Sequence, residues 1–117
     1  VLLADQGADV VKVESPTGDI VRRMGRGHDG LSPAFVAANR GKRSVCLNLK
    51  ESAGIDMVKR LVTNADVFIQ NFRPGAIERM GLSYEILQAL NPSWCCSVCS
   101  FHLIAAVGVD LLKARKR

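Results

Sequence analysis

The sequence predicts an α/β fold: a Rossmann-like parallel sheet flanked by helices. Three observations predict it. Short runs rich in β-branched residues recur along the chain, as in Val10-Val11-Lys12-Val13 and Val67-Phe68-Ile69. Between them lie segments whose apolar residues repeat at helical spacing. Glycine, proline and asparagine mark the junctions. The order α, β, α, β, α, β, α, α, β implies parallel strands joined by right-handed helical crossovers.

The elements follow in order. Val1 to Gly7 reads as the last turns of a helix with a glycine stop. Ala8 to Glu14 is a strand, ended by the turn residues Ser15-Pro16-Thr17-Gly18-Asp19. Residues 20–33 are basic, glycine-containing and aperiodic, so a loop is expected. Ser32-Pro33 opens a short helix over Ala34–Asn39. Ser44 to Leu49 alternates, with Val45, Leu47 and Leu49 on one face and Ser44, Cys46 and Asn48 on the other. Ser52 is a candidate N-cap for a helix carrying Ile55, Val58, Leu61 and Val62 on one stripe. A strand is expected at Val67–Gln70 and a short helix at Ala76–Met80. Another helix is capped by Ser83 and reaches Leu90, and a strand-like run covers Trp94–Phe101. The end, His102 to Arg117, is compatible with a basic amphipathic helix.

In a fold of this kind ligands bind outside the carboxyl ends of the strands. Those ends are Glu14-Ser15, Leu49-Lys50, Asn71-Phe72-Arg73 and Ser100-Phe101.

Composition narrows the field. The 117 residues are 48% apolar and 23% charged, enough for one small domain. A net charge of +5 and a pI near 9.3 favour anionic partners. The basic residues are spread over several loops, which favours a small polyanion over a duplex. The apolar run Leu103–Leu112 is too short to span a bilayer, and no secretory signal is visible. Neither a nucleic-acid nor a membrane partner is expected. Of the four cysteines, Cys95, Cys96 and Cys99 are clustered in an apolar stretch, unlike a secreted disulfide framework. A reducing compartment, and so the cytoplasm, is expected.

Several motifs invite chemistry and are better read as structure. Gly25-Arg26-Gly27-His28-Asp29-Gly30 spells a dinucleotide fingerprint, but it neither follows a strand nor opens a helix, as that site requires. Cys96-Ser97-Val98-Cys99 lies in a strand-like run, where alternate side chains diverge, and is read as buried structural thiols rather than a metal or redox site. No metal is expected. His28 and His102 have no nucleophile in a recognisable setting. The basic end from Lys113 to Arg117 carries no aromatic platform and reads as a solvated terminus.

The most informative segment is Asn71-Phe72-Arg73-Pro74-Gly75-Ala76-Ile77-Glu78-Arg79-Met80-Gly81. It follows a strand and opens a helix, so free N–H groups and the guanidinium groups of Arg73 and Arg79 suit an anion. This segment also resembles a hallmark of the class III CoA-transferases, the family of formyl-CoA transferase, carnitine CoA-transferase and α-methylacyl-CoA racemase. Three further passages carry the resemblance in order. They are Leu3 to Glu14 with the Gly18-Asp19 turn, Asn39-Arg40-Gly41-Lys42-Arg43-Ser44 with Leu47 to Lys50, and Leu82 to Pro92 with Tyr84, Leu87 and Asn91. Together they cover roughly residues 1–100.

The resemblance implies a CoA-binding half. By position, Leu47, Asn48, Leu49 and Lys50 match one stretch that contacts the coenzyme. Asn71, Phe72 and Arg73 match another, and Arg79 matches a basic CoA-binding position. It implies an acyl-CoA and a carboxylic acid acceptor as partners. Transfer would run through an aspartyl intermediate, with covalent catalysis dividing one hard step into easier ones. It also implies an interlocked homodimer for intact members.

Two departures stand out. Ser15 occupies a position often held by arginine. After Ser97 the family's glycine-rich passage is replaced by Cys99, Ser100, Phe101 and His102, and no counterpart of the catalytic aspartate follows; Asp110 lies in unmatched surroundings. The expected organisation is therefore a partial CoA-binding domain over 1–101 and a divergent basic tail over 102–117. The sheet is expected to be incomplete, without its first strand and without a second domain. No catalytic residue is assigned, and the chain is expected to be inactive alone. The alternatives are a non-catalytic CoA- or nucleotide-binding module, or a fragment of an α-methylacyl-CoA racemase.

Overall fold

The computed structural model describes residues 1–29, 31–93, 95–98 and 109–113, with 95–98 described by their backbone. Helix α1 (Leu2–Asp5) leads into strand β1 (Asp9–Glu14). A 3-10 turn at Ile20–Arg23 precedes α2 (Pro33–Asn39) and β2 (Lys42–Cys46). Then come α3 (Ser52–Val62), β3 (Val67–Gln70), α4 (Ala76–Arg79), α5 (Tyr84–Leu90), β4 (Cys95–Val98) and β5 (Val109–Lys113).

The strands form one sheet in the order β2-β1-β5-β3-β4. β1 pairs parallel with β2, Val13 opposite Val45, and β3 pairs parallel with β4, Val67 opposite Cys95. β5 is antiparallel to both its neighbours, with Val109 opposite Val13 on one side and Gln70 on the other. β1 and β3 therefore point the same way. The carboxyl ends of β1 to β4 share one edge of the sheet.

The α/β architecture is as expected, with helices packed on the sheet. Two expectations are corrected. The sheet is mixed rather than wholly parallel, because β5 runs against the other four. The end of the chain, whose composition is compatible with a helix, contributes a strand at Val109–Lys113, while residues 102–108 and 114–117 lie outside the described residues. β5 also joins the two parallel pairs across the centre of the sheet. The physical reason is backbone satisfaction. Between β1 and β3 any unfilled position would leave two rows of N–H and C=O groups without partners. Two smaller differences concern boundaries. β2 covers Lys42–Cys46 instead of Ser44–Leu49, so Leu47 and Leu49 stand just past the strand. The expected loop contains the turn Ile20–Arg23, started by Asp19 accepting a hydrogen bond from the Val21 N–H at 2.9 Å.

The core lies on one face. Val13, Phe68, Val109 and Leu111 point from the sheet towards Val58 and Val62 of α3, Ile77 of α4 and Leu87 of α5. The α3 stripe is the one the periodicity predicts: Val58 and Val62 are fully buried, and Ile55 and Leu61 pack at its margin. Asn91 closes this layer, its Nδ2 donating to the carbonyls of Val62 at 3.0 Å and Ala65 at 2.8 Å. Ser83 caps α5 as predicted, accepting from the Ile86 N–H.

The candidate coenzyme edge

Two turns carry the predicted site residues, and both stand on the shared carboxyl edge. Leu47 to Lys50 link β2 to α3, and Asn71 to Arg73 link β3 to α4. β1 and β5 lie between those strands, so the turns are three strand spacings apart, ~14 Å at ~4.8 Å each.

The first turn is built around Asn48. Its Nδ2 donates to Glu51 Oε1 at 2.7 Å, and its Oδ1 accepts from the Lys50 N–H at 3.1 Å. Its carbonyl accepts from the Glu51 N–H and lies directly against Gly54 in α3. A side chain at residue 54 would overlap that carbonyl, so glycine is what lets the helix start so close to the strand end. Leu47 and Leu49 pack against the core. Both are partly buried there and help set the turn's shape. Lys50 is exposed.

The second turn is held by Gln70, which is buried and accepts from the Phe72 N–H at 2.7 Å. Phe72 packs against the core. Arg73 is exposed. The chain then passes through Gly75, whose φ of 78° is left-handed, into α4. α4 is a single turn, so its dipole is small and its contribution to anion binding rests on Arg79, on its exposed side. Lys50, Arg73 and Arg79 make no ion pair among the described residues, which leaves all three guanidinium or ammonium groups available. α3 is a longer helix whose amino terminus, without a side-chain cap, opens on the same edge.

Between these turns the edge carries a charged cluster that sequence reasoning did not single out. Glu14, at the end of β1, accepts two hydrogen bonds from Arg22, at 2.7 and 2.8 Å. It accepts further bonds from Ser44 Oγ at 2.7 Å and the Asp19 N–H at 3.2 Å. The Arg22 guanidinium, helped by Ser44 and the Asp19 N–H, outweighs burial and lowers the Glu14 carboxyl from 4.5 to about 2. Lys12 pairs with Asp19 at 2.7 Å, both side chains buried. Arg22 also lies over the Phe35 ring, 3.9 Å from its centroid. The available signal was the spacing of Lys12 and Glu14, two charges on one face of a strand whose other residues after Asp9 are all valine.

The remaining candidates do not assemble into a second site. Asp110 pairs with Lys42 at 2.7 Å within the sheet. His28 and its Asp29 partner are exposed on the loop before α2. Cys46 is a free, exposed thiol, whereas the Cys96–Cys99 motif falls partly outside the described residues. Among the described residues no group of three or more His, Cys, Asp or Glu side chains is placed to hold a metal. None of the described helices is long and apolar enough to cross a membrane. A cavity of about 800 Å³ opens on the opposite edge, beside Gly7, Asp9, Gly41, Asp66 and Lys113. That edge receives the carboxyl end of α3 and two acidic residues, an arrangement that disfavours a polyanion.

Comparison with known proteins decides the family. The model of CoA-transferase family III matches residues 1–102. The chain belongs to this family. It is 47% identical over 109 residues to succinate–glutarate CoA-transferase of Agrobacterium fabrum, a match covering 86% of this chain and 27% of that protein. It is 45% identical over 92 residues to formyl-CoA:oxalate CoA-transferase of Streptomyces avermitilis, covering 78% of this chain and 22% of the relative. A CaiB/BaiF family protein from Brucella suis superposes with a TM-score of 0.77 at 44% identity, over 82% of this chain and 27% of that one. The chain thus spans about a quarter of the length of these family III proteins and corresponds to their amino-terminal portion.

Proposed function

We propose that this chain is the CoA-binding portion of a class III CoA-transferase, with the coenzyme held along the carboxyl edge of the sheet. The observation that carries this reading is the pair of turns on that edge, bearing Lys50, Arg73 and Arg79 with no ion pair of their own among the described residues. CoA is a substrate with several phosphate charges. Lys50 and Arg73 would meet those charges from the two turns, and Arg79 from the first turn of α4. The backbone of Leu47 to Leu49 and of Asn71 to Phe72 would line the adenosine, its shape fixed by Asn48 and Gln70.

Transfer from an acyl-CoA to a carboxylic acid acceptor would then use a carboxylate nucleophile contributed by the larger family III protein. Attack on the thioester would give a mixed anhydride and release the CoA thiolate. That thiolate, still held on this edge, would attack the enzyme carbonyl of the anhydride, giving the enzyme thioester and releasing the donor carboxylate. The acceptor carboxylate would then displace the thiolate to form a second anhydride, whose acyl carbonyl the thiolate attacks to give the new acyl-CoA and the free enzyme carboxylate. This portion's share of the work is to keep CoA in place between the two attacks. The reading extends to an interlocked homodimer for the larger protein and to a cytoplasmic location, the latter supported by the clustered cysteines.

Titration calorimetry of CoA into the chain tests the proposal, with Arg43→Ala on the exposed opposite part of β2 as control. Binding weakened about tenfold by Arg79→Ala and untouched by Arg43→Ala supports it. A folded chain that gives no heat with CoA sinks it.

A further inference from the structure

Two arginines on the carboxyl edge stand in the same local frame. Gly18-Asp19-Ile20-Val21-Arg22 forms the turn at Ile20–Arg23, and Gly75-Ala76-Ile77-Glu78-Arg79 forms α4. Both glycines are left-handed, with φ of 77° and 78°. In both, the arginine four residues on folds back over the glycine. A β-carbon at residue 18 would stand 3.4 Å from Arg22 Cδ, and one at residue 75 would stand 3.1 Å from Arg79 Nη1. The space that each missing side chain leaves is taken by the arginine that follows it. We propose that Gly75 is a positioning residue for the coenzyme: it lets the Arg79 guanidinium lie back over the turn after β3, where it takes a phosphate group with two parallel hydrogen bonds.

The first frame shows what the arrangement does. Arg22 Nε and Nη2 donate to the two carboxylate oxygens of Glu14, at 2.7 and 2.8 Å. Its stem lies against Gly18, and its guanidinium lies over the Phe35 ring. The arginine is thereby held in one plane, with paired donors turned to an oxyanion. A phosphate presents the same kind of paired oxygens as that carboxylate. In the second frame Arg79 makes no ion pair among the described residues, so its donors are left for a ligand. An exposed arginine is otherwise long and rotatable, and ordering it on binding costs side-chain entropy. Resting over Gly75 limits that freedom beforehand. A β-carbon at residue 75 would stand closer to Nη1 than ordinary van der Waals contact. The guanidinium is the movable partner, so it would be pushed off its place while the turn stayed as it is.

The inference rests on the coenzyme reading and is tested by titration calorimetry of CoA into the full chain and its variants. Gly75→Asn puts a β-carbon under the guanidinium, and asparagine tolerates the left-handed backbone. Gly81→Asn is the control: its φ is 73°, and nothing lies within 4 Å of a β-carbon there. The two variants should lose similar melting temperature, since the backbone cost is the same. Only Gly75→Asn should lose CoA affinity, by about threefold to fivefold, because the guanidinium is displaced and not removed. In an Arg79→Ala background Gly75→Asn should change affinity by less than about twofold, because the group it displaces is gone. Equal affinity for Gly75→Asn and a parent that binds would overturn the inference alone, and so would a loss that persists in the Arg79→Ala background. A Gly75→Asn chain that fails to fold while Gly81→Asn folds would overturn it too, since residue 75 would then hold the fold and not the guanidinium. A folded parent chain that binds no CoA would remove the coenzyme reading and this inference with it.

Discussion

Val13, Phe68, Val109 and Leu111 look onto one face of the sheet, and Lys12, Glu14, Lys42 and Asp110 look onto the other. The first face is covered by α3, α4 and α5 and is held by apolar packing. The second is crossed by charge pairs: Lys12 with Asp19, Glu14 with Arg22, Lys42 with Asp110. Both faces bury side chains from the same strands, often adjacent in sequence. The difference shows in what a perturbation does. Apolar packing is non-directional and insensitive to pH, whereas each charge pair depends on geometry and protonation. Each face should therefore fail under its own kind of change.

The largest effect is expected on the apolar face. Phe68 is 1% exposed at the centre of the core, and Phe68→Ala should cost about 3–5 kcal/mol. Urea denaturation should show this at any pH between 5 and 8. A loss that varied strongly over that range would mean the two faces are not independent.

The charged face should fail on acidification. Glu14 titrates at about 2 in the folded protein against an ordinary 4.5. Its contribution is complete above pH 4.5 and is lost as pH falls towards 2, because the unfolded chain takes up the proton first. The full contribution is about 3 kcal/mol at 1.36 kcal/mol per pH unit. The stability gap between the parent and Glu14→Gln should accordingly narrow by about 2 kcal/mol from pH 6 to pH 3. A gap that stays constant would remove the Arg22 clamp from the account.

A subtler test sits where the apolar layer meets the ligand edge. Glycine to alanine inside a helix normally stabilises by up to ~1 kcal/mol. At residue 54 the new methyl would meet the Asn48 carbonyl, so Gly54→Ala should instead destabilise by about 1–3 kcal/mol. It should also weaken CoA binding by moving the turn that bears Lys50. A stabilised variant with unaltered affinity would show that the turn has room to retreat.

The smallest expected effect is Arg79→Ala, about 1.4 kcal/mol or tenfold in CoA affinity with no change in the melting temperature, because the side chain is exposed and makes no ion pair among the described residues. A lowered melting temperature would make Arg79 a structural residue.

Much of the fold was legible because its signals are local. The stripe on α3, the cap at Ser83 and the β-branched run at Val67 each follow from a few neighbouring residues. The two candidate turns were legible as well, since they sit at strand ends and carry a family pattern. What was not legible is that the side chains of Leu47, Leu49 and Phe72 also pack against the core, which follows only from how α3 and the sheet close on one another. The clamp on Glu14 was hidden for a similar reason: Arg22 and Ser44 come to it from elsewhere in the chain, across a loop and from a neighbouring strand.

By itself the sequence determined the order of helices and strands, the direction of the four parallel strands and the placing of the two candidate turns at strand ends, because periodicity, turn chemistry and crossover handedness are properties of short segments. Only the tertiary structure decided the fate of Val109–Lys113. Its composition suits a helix as well as a strand, and nothing within the segment chooses between them. The choice is made by β1 and β3, whose facing backbone groups need partners, and by Lys42, which needs a carboxylate.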